Sequence, residues 1–190
     1  MCRSFIPRME TIMTALELPL IEEGQFRLRA FADADVRLIQ EASRDALIPL
    51  ISTVPTIESE SEALDYINRQ RLRLTERSGY SFAIADRSTN QAVGQIGLWI
   101  KNIDDGRASV GYWVAPSRRR QGVAQSALGI LTRWAMSQGA VHRIELYVEP
   151  WNEGSWRAAE HCGYEREGLL RSWQDVGGVR KDMYMYALIK

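Results

Sequence analysis

The feature that most constrains this chain is a strand–helix–strand run between residues 108 and 148. "ASVGYWV" (108–114) has the β-branched and aromatic content of a strand. Beyond it Ala124, Ala127, Leu128, Leu131, Trp134 and Ala135 recur at helical spacing until Gly139 stops the run. "HRIELYV" (142–148) then alternates Ile144, Leu146 and Val148 against Glu145 and Tyr147. Two strands joined through a helix must lie parallel, connected by a right-handed crossover. The flanking segments are of another kind. "YSFAIAD" and "AVGQIGLWIKNI" are two strands joined by the polar "RSTN", and "DDGR" (104–107) turns the chain into the strand at 108. After the crossover, two closing strands meet at Gly177-Gly178. Antiparallel strands on both sides of a parallel pair require a mixed sheet.

The remaining elements complete the pattern. "QFRLRAF" (25–31) alternates as a strand, and Asp33 is placed to cap a helix through Ser43. "SESEALDYINRQRLRLTERSG" (59–79) brings Leu64, Ile67, Arg71 and Leu74 near one face and stops at Gly79. "NEGSWRAAEHCG" (152–163) is a short helix with Asn152 as its cap. The order predicts an α/β fold: a mixed, mostly antiparallel sheet of seven strands with helices on both faces. Residues 25–190 form a single domain, and residues 1–24 are expected to be an extension before it. That segment does not read as a signal peptide, because no continuous apolar core follows its basic residues, and Met9 and Met13 are alternative starts.

Lysine plus arginine and aspartate plus glutamate number 24 each, so bulk charge argues for neither nucleic acid nor a membrane surface as partner. Any anion site must be local. Cys2 and Cys162, with only His142 and His161 beside them, give no metal-ligand spacing. Cysteine usage without a secretion signal places the chain in the cytoplasm.

The local anion site is suggested by "RRRQGVA" (118–124), where three arginines run into a glycine at the start of the crossover helix. A helix N-terminus carries unpaired amides and partial positive charge, which suits phosphate. Gly122 removes a side chain where a ligand would approach the backbone. The stretch lacks the first Gly and the Lys of a Walker loop and the three glycines of a dinucleotide fingerprint. Solvated arginines on an ordinary connection are the alternative.

Strand "VGYWVAP" followed by Arg119-x-x-Gly122-x-Ala124 resembles the acyl-CoA loop of the GNAT N-acetyltransferase superfamily, and "HRIELYVEPWNEGSWRAAEHCGYEREGLLR" (142–171) resembles the second half of that fold. "GYWV", "HRIEL", "N-x-x-S", "E-x-x-GY-x-x-EG-x-LR" and "G-x-x-x-DMYMYAL" are similar to the RimJ/RimL branch, which acetylates protein N-terminal amines. The resemblance spans residues 25–190. It implies central parallel strands that splay apart, with the pantetheine arm of acetyl-CoA against the backbone of Trp113, Val114 and Ala115. The diphosphate would lie on Arg119, Arg120, Gln121, Gly122, Val123 and Ala124. Asn152 and Ser155 would contact the arm, and Ser155 would protonate the departing thiolate.

The match departs from the family in two places. The tyrosine acid that many relatives carry four residues before the Gly-Tyr pair is Ala159 here, and an acidic residue common before the strand motif is Ser109. Tyr147 is a second phenol that could serve as acid. Glu145, on the same strand face, is either a base or an ion-pair partner of an arginine. A weak base suits a low-pKa acceptor, since an α-amine of pKa about 7.7–8.0 is about a tenth neutral at pH 7 and lysine far less. The expected function is acetyl transfer from acetyl-CoA, without metal, to a protein N-terminal amine. The rivals are a small-amine acetyltransferase (polyamine, amino acid or aminoglycoside) and a non-catalytic acyl-CoA sensor. Trp99, Trp151 and Trp173 fall where a substrate cleft could form, Asp182 reads as an ion-pair partner, and "DMYMYALI" suits either burial or a homodimer contact.

Overall fold

The computed structural model describes residues 18–190. Two strands, β1 (Ile21–Glu23) and β2 (Phe26–Arg29), lead into helices α1 (Val36–Ser43), α2 (Ile48–Ile51) and α3 (Glu60–Leu72). The meander β3 (Gly79–Asp86), β4 (Ala92–Trp99) and β5 (Arg107–Val114) follows, then the crossover helix α4 (Val123–Ser137) into β6 (Arg143–Val148). Helix α5 (Glu153–His161) and the hairpin β7 (Glu165–Val176) and β8 (Val179–Ile189) close the chain. The sheet order is β1-β2-β3-β4-β5-β6-β8-β7.

Among the described residues the sheet therefore has eight strands where seven were expected. The added strand is β1, which pairs antiparallel with β2 from Ile21↔Leu28 to Glu23↔Phe26, so the sheet begins inside the segment expected to be an extension. Three residues are too few for a period-two pattern to register. The rest of that extension, residues 1–17, lies outside the described residues. Helix α2 was also not foreseen. It is one turn, fixed by Asp45, whose Oδ1 accepts from Leu47 N at 3.0 Å and Ile48 N at 2.9 Å. Ser59 caps α3 by accepting from Glu62 N, and the helix stops at Leu72, before the turn that Gly79 was expected to mark.

Two cores flank the sheet. On one face α4 and α5 bury Ala127, Leu128, Leu131 and Ala159 against Phe82, Ile84, Ile96, Leu98, Ile144 and Leu146. On the other, α1 to α3 bury Leu38, Ile39, Ile48, Tyr66 and Ile67 against Ala83, Ala92 and Trp113. Removing such apolar area from water is the main stabilising term of the fold.

The site depends on where the parallel pair stops. β5 and β6 pair only at Arg107↔Arg143, Ala108↔Ile144 and Ser109↔Glu145. β5 stays bonded to β4 as far as Gly94↔Val114, and β6 stays bonded to β8 as far as Val148↔Tyr184. The two strands thus part beyond Ser109, which leaves the β5 edge from Val110 to Val114 without a strand partner on that side. Glu145 pins the closed end. Its buried carboxylate accepts from Arg107 Nε at 2.9 Å, Arg143 Nε at 2.8 Å and the Tyr147 hydroxyl at 2.8 Å.

Candidate active site

On one side of the gap lies a groove of about 460 Å³ between β5, the arginine loop and the starts of α4 and α5. The loop is shaped by left-handed residues, Arg120 at φ 61° and Gly122 at φ 73°. A Cβ at Gly122 would meet nothing within 4 Å, so glycine is needed there for its backbone conformation and leaves open space toward the groove. No side chain caps α4, whose first amides face that space with the partial positive charge of a helix start. The three arginines are not equivalent. Arg119 Nη2 lies 2.9 Å from Asp45 Oδ2 and its Nε donates to Val114 O, while Arg118 donates to Gln91 Oε1 at 2.9 Å. Arg120 alone of the three has no partner among the described residues, and it lines the groove.

On the other side lies a cleft of about 320 Å³, reached between β4, the open ends of β5 and β6, α2 and the β7–β8 hairpin. The two cavities share Leu47, Ile51, Tyr112, Trp151, Asn152 and Ser155 as lining residues. At this junction Tyr112 Oη lies 2.9 Å from Ser155 Oγ and 3.1 Å from the Ser155 carbonyl oxygen. Burial pushes the Tyr112 phenol up to about 12, against the opposing hydrogen bond with Ser155, so it keeps its proton across the physiological range. Asn152 caps α5 by accepting from Ser155 N at 3.3 Å through Oδ1, which leaves its amide nitrogen for the groove.

Aromatic residues wall the second cleft. The Trp99 indole lies over the strand backbones, and a Cβ at Gly97 would come within 2.6 Å of it. The Arg73 guanidinium stacks on Trp99 at 4.6 Å. Tyr147 stacks on Trp173 with ring centroids 5.5 Å apart. A bulge in β7 positions that tryptophan. The register with β8 shifts between Leu170 and Gln174, Ser172 adopts φ 50°, and its N–H donates to Asp182 Oδ1 at 2.7 Å. Asp182 therefore anchors backbone and, among the described residues, has no ion-pair partner where one was expected.

Beneath this wall sits Glu145. Burial pushes its carboxyl up, but hydrogen bonds from Arg107, Arg143 and Tyr147 outweigh that and hold it at about 2. Of the two roles left open for Glu145, the ion pair is the one found. Tyr147 is raised to about 12, by burial first and by its bond to Glu145 second, and its proton is committed to that carboxylate.

This fold has known counterparts. The sequence model of the Acetyltransferase (GNAT) domain family matches residues 25–165. The chain belongs to the GNAT acetyltransferase family. It is an N-acetyltransferase with acetyl-CoA as acyl donor. N-acetyltransferase p20 of Bacillus licheniformis is 29% identical over 182 residues, covering 96% of this chain and 97% of p20. RimJ of Mycobacterium smegmatis, solved in complex with CoA-disulfide, superposes with a TM-score of 0.73 at 25% identity, covering 90% of this chain and 85% of RimJ. RimL, a ribosomal L7/L12 alpha-N-protein acetyltransferase solved with coenzyme A, shares the fold at a TM-score of 0.74 and 19% identity, covering 90% of this chain and 98% of RimL.

Most of the residues expected at the donor site of this GNAT domain do gather there. Trp113, Val114, Arg119, Arg120, Gly122, Val123, Ala124, Asn152 and Ser155 line the groove. Two do not. Ala115 is buried and gives its N–H to Val93 O, and Gln121 turns back to donate to Ser117 O. Trp99 and Trp151 line the second cleft, and Trp173 backs it through Tyr147. Tyr112 was missed as a site residue. Its position in the "GYWV" strand, opposite in face to the buried Trp113 by the period-two rule, was the available signal.

Proposed function

We propose that the protein acetylates the α-amine of a protein or peptide N-terminus, with Ser155 as proton donor to the leaving sulfur. The observation that carries this reading is the 2.9 Å contact of Ser155 Oγ with Tyr112 Oη where the two cavities meet. Acetyl-CoA supplies a thioester whose carbonyl carbon a neutral amine attacks directly. The open β5 edge and the α4 amides suit the pantetheine and diphosphate, and Arg120 suits the remaining phosphate. Ser155 Oγ gives its proton to the leaving sulfur and takes one from Tyr112 Oη, and the tyrosinate so formed is reprotonated from water, to which the attacking amine gives up its own proton. Tyr112 thus takes the place of the acid missing at Ala159, reaching the junction from a strand instead of a helix.

With Glu145 locked between two arginines and Glu149 bonded to the Trp151 indole, the described residues of the cleft offer only a weak base. That favours an acceptor that is partly neutral at pH 7, as an α-amine of pKa about 7.7–8.0 is and a lysine near 10.4 is not. The same cleft, with one carboxylate on its lining, speaks against a polyamine. Family membership and the hydroxyl pair favour the enzyme over the sensor. The test is CoA release with free and N-terminally blocked forms of the same lysine-containing peptides. Turnover should require the free terminus. Equal turnover of blocked peptides would refute the α-amine reading.

A further inference from the structure

The chemistry of the second cleft is more selective than acetyl transfer alone requires. Among the described residues that line it there is no lysine, arginine or histidine, and Glu149 is the one carboxylate. Glu145 lies close behind Tyr147, but its charge is answered by Arg107 and Arg143. Glu149 is held in place. Its Oε2 accepts from Trp151 Nε1 at 2.8 Å, and its backbone carbonyl accepts from Asn152 N at 2.9 Å, in the turn that carries Ser155. One fixed negative charge matches one ammonium group. A polyamine would bring further ammonium groups into a cleft with nothing to pair them, and an unpaired charge pays heavily for losing water.

The other walls are apolar. Leu47, Ile51, Trp99 and Met183 line the cleft, and Trp151 stands 61% exposed at its mouth. A large indole left in water beside a cleft is area that a ligand can cover. We propose that the acceptor carries a single ammonium next to a large apolar side chain, as a peptide beginning with Leu, Met or Phe does, and that Glu149 docks that ammonium. This rests on the α-amine reading above and narrows it. A carboxylate near the amine favours its charged form, so Glu149 strengthens binding of the ammonium, which must give its proton to water before the neutral amine attacks. Its loss belongs in KM.

The experiment measures initial rates at saturating acetyl-CoA with peptides that differ only in their first residue, Leu or Ser, and with spermidine. Wild type and Glu149→Gln are compared. The amide oxygen of glutamine can still accept from Trp151, so the substitution removes the charge and keeps the fold, which thermal melting checks. The Leu-first peptide should exceed the Ser-first one in kcat/KM by about tenfold or more, the scale set by an apolar pocket. Glu149→Gln should raise the KM of the Leu-first peptide about tenfold, with kcat at or above wild type and acetyl-CoA affinity within about twofold of it. Equal use of both peptides, or an unchanged KM in the variant, overturns this inference and leaves the α-amine reading standing. Preference for spermidine over every peptide overturns both.

Discussion

The two cavities that meet at Ser155 are made of different material. The groove proposed for the donor presents backbone features: the unpaired edge of β5, the left-handed turn at Gly122 and the start of α4, which no side chain of the described residues caps. The acceptor cleft is built from side chains of α2, β4, β5, β6, α5, β7 and β8. Backbone geometry of that kind serves any acyl-CoA, whereas a wall of side chains can change its preference one residue at a time. The donor half of the molecule is therefore generic and the acceptor half individual.

The largest effect is expected at the junction, where both halves must act together. Ser155→Ala should lower kcat by about 10²- to 10⁴-fold, the usual worth of general acid help, with acetyl-CoA affinity nearly unchanged. Tyr112→Phe should follow with a smaller loss, because solvent can resupply Ser155. Tyr147→Phe should leave kcat close to wild type, since that phenol serves Glu145. Steady-state kinetics with a peptide acceptor decide it. A severe loss in Tyr147→Phe with a mild one in Ser155→Ala would move the acid from the junction into the acceptor cleft.

Glu145 should matter for stability more than for rate. Its folded carboxyl is held at about 2 by Arg107, Arg143 and Tyr147, below its ordinary value in the unfolded chain. A depressed carboxyl stabilises the fold above the unfolded value near 4.3, and that contribution fades as pH falls from about 5 toward 2. A depression of this size is worth about 3 kcal/mol. Urea unfolding at pH 7 should show Glu145→Gln well below wild type in midpoint, and the gap should shrink to about half at pH 3 and nearly close by pH 2. Normal stability with a collapsed, pH-shifted kcat would make Glu145 a base after all.

How much of this was legible follows the same division. The crossover at 108–148 fixed the parallel pair, and Arg119-x-x-Gly122-x-Ala124 located the groove, because both are local patterns that backbone geometry imposes. Ala115 and Gln121, which do not line the groove, have side chains that turn away while the backbone around them follows the motif. The acceptor cleft was legible only as a guess at Trp99, Trp151 and Trp173. Tyr112 and Ser155 are 43 residues apart and meet only because β5 and β6 splay. Glu145 could not be separated into base or ion-pair partner until Arg107 was brought across from the neighbouring strand. Helix α2, which lines both cavities, is a single turn without a readable period.

A donor-side substitution should leave the acceptor half untouched. Gly122→Val puts a β-branched residue at φ 73°, a left-handed position that costs roughly 1–2 kcal/mol of stability for residues with a Cβ. Its side chain enters the open space beside the α4 amides. Calorimetry on the folded variant should find CoA bound about tenfold or more weakly, the loss expected when backbone can no longer approach a phosphate group. The acceptor KM, measured at saturating donor, should stay as in wild type. Unchanged CoA affinity would mean that the groove beside the arginine loop is not where the diphosphate lies.

The smallest effect comes from the farthest support of the acceptor wall. Asp182 accepts from Ser172 N in the β7 bulge, and Arg180 donates to the carbonyl oxygens of Ser172 and Trp173. Together they hold Trp173 against Tyr147, which lines the cleft. Asp182→Asn keeps an oxygen acceptor but weakens a charge-assisted bond to a backbone N–H, a change on the order of 1 kcal/mol. With Ser172 in a left-handed conformation, that bond is part of what offsets the strain, so its weakening lets the bulge relax. The acceptor KM should then rise a few-fold, about what 1 kcal/mol allows, while acetyl-CoA affinity and kcat stay near wild type. Trp173→Ala should reproduce the same KM change, and adding it to Asp182→Asn should produce little more, because both act through one stack. Fully additive effects would show that Asp182 supports the hairpin in general and not the aromatic wall, and the acceptor half would then begin at Tyr147.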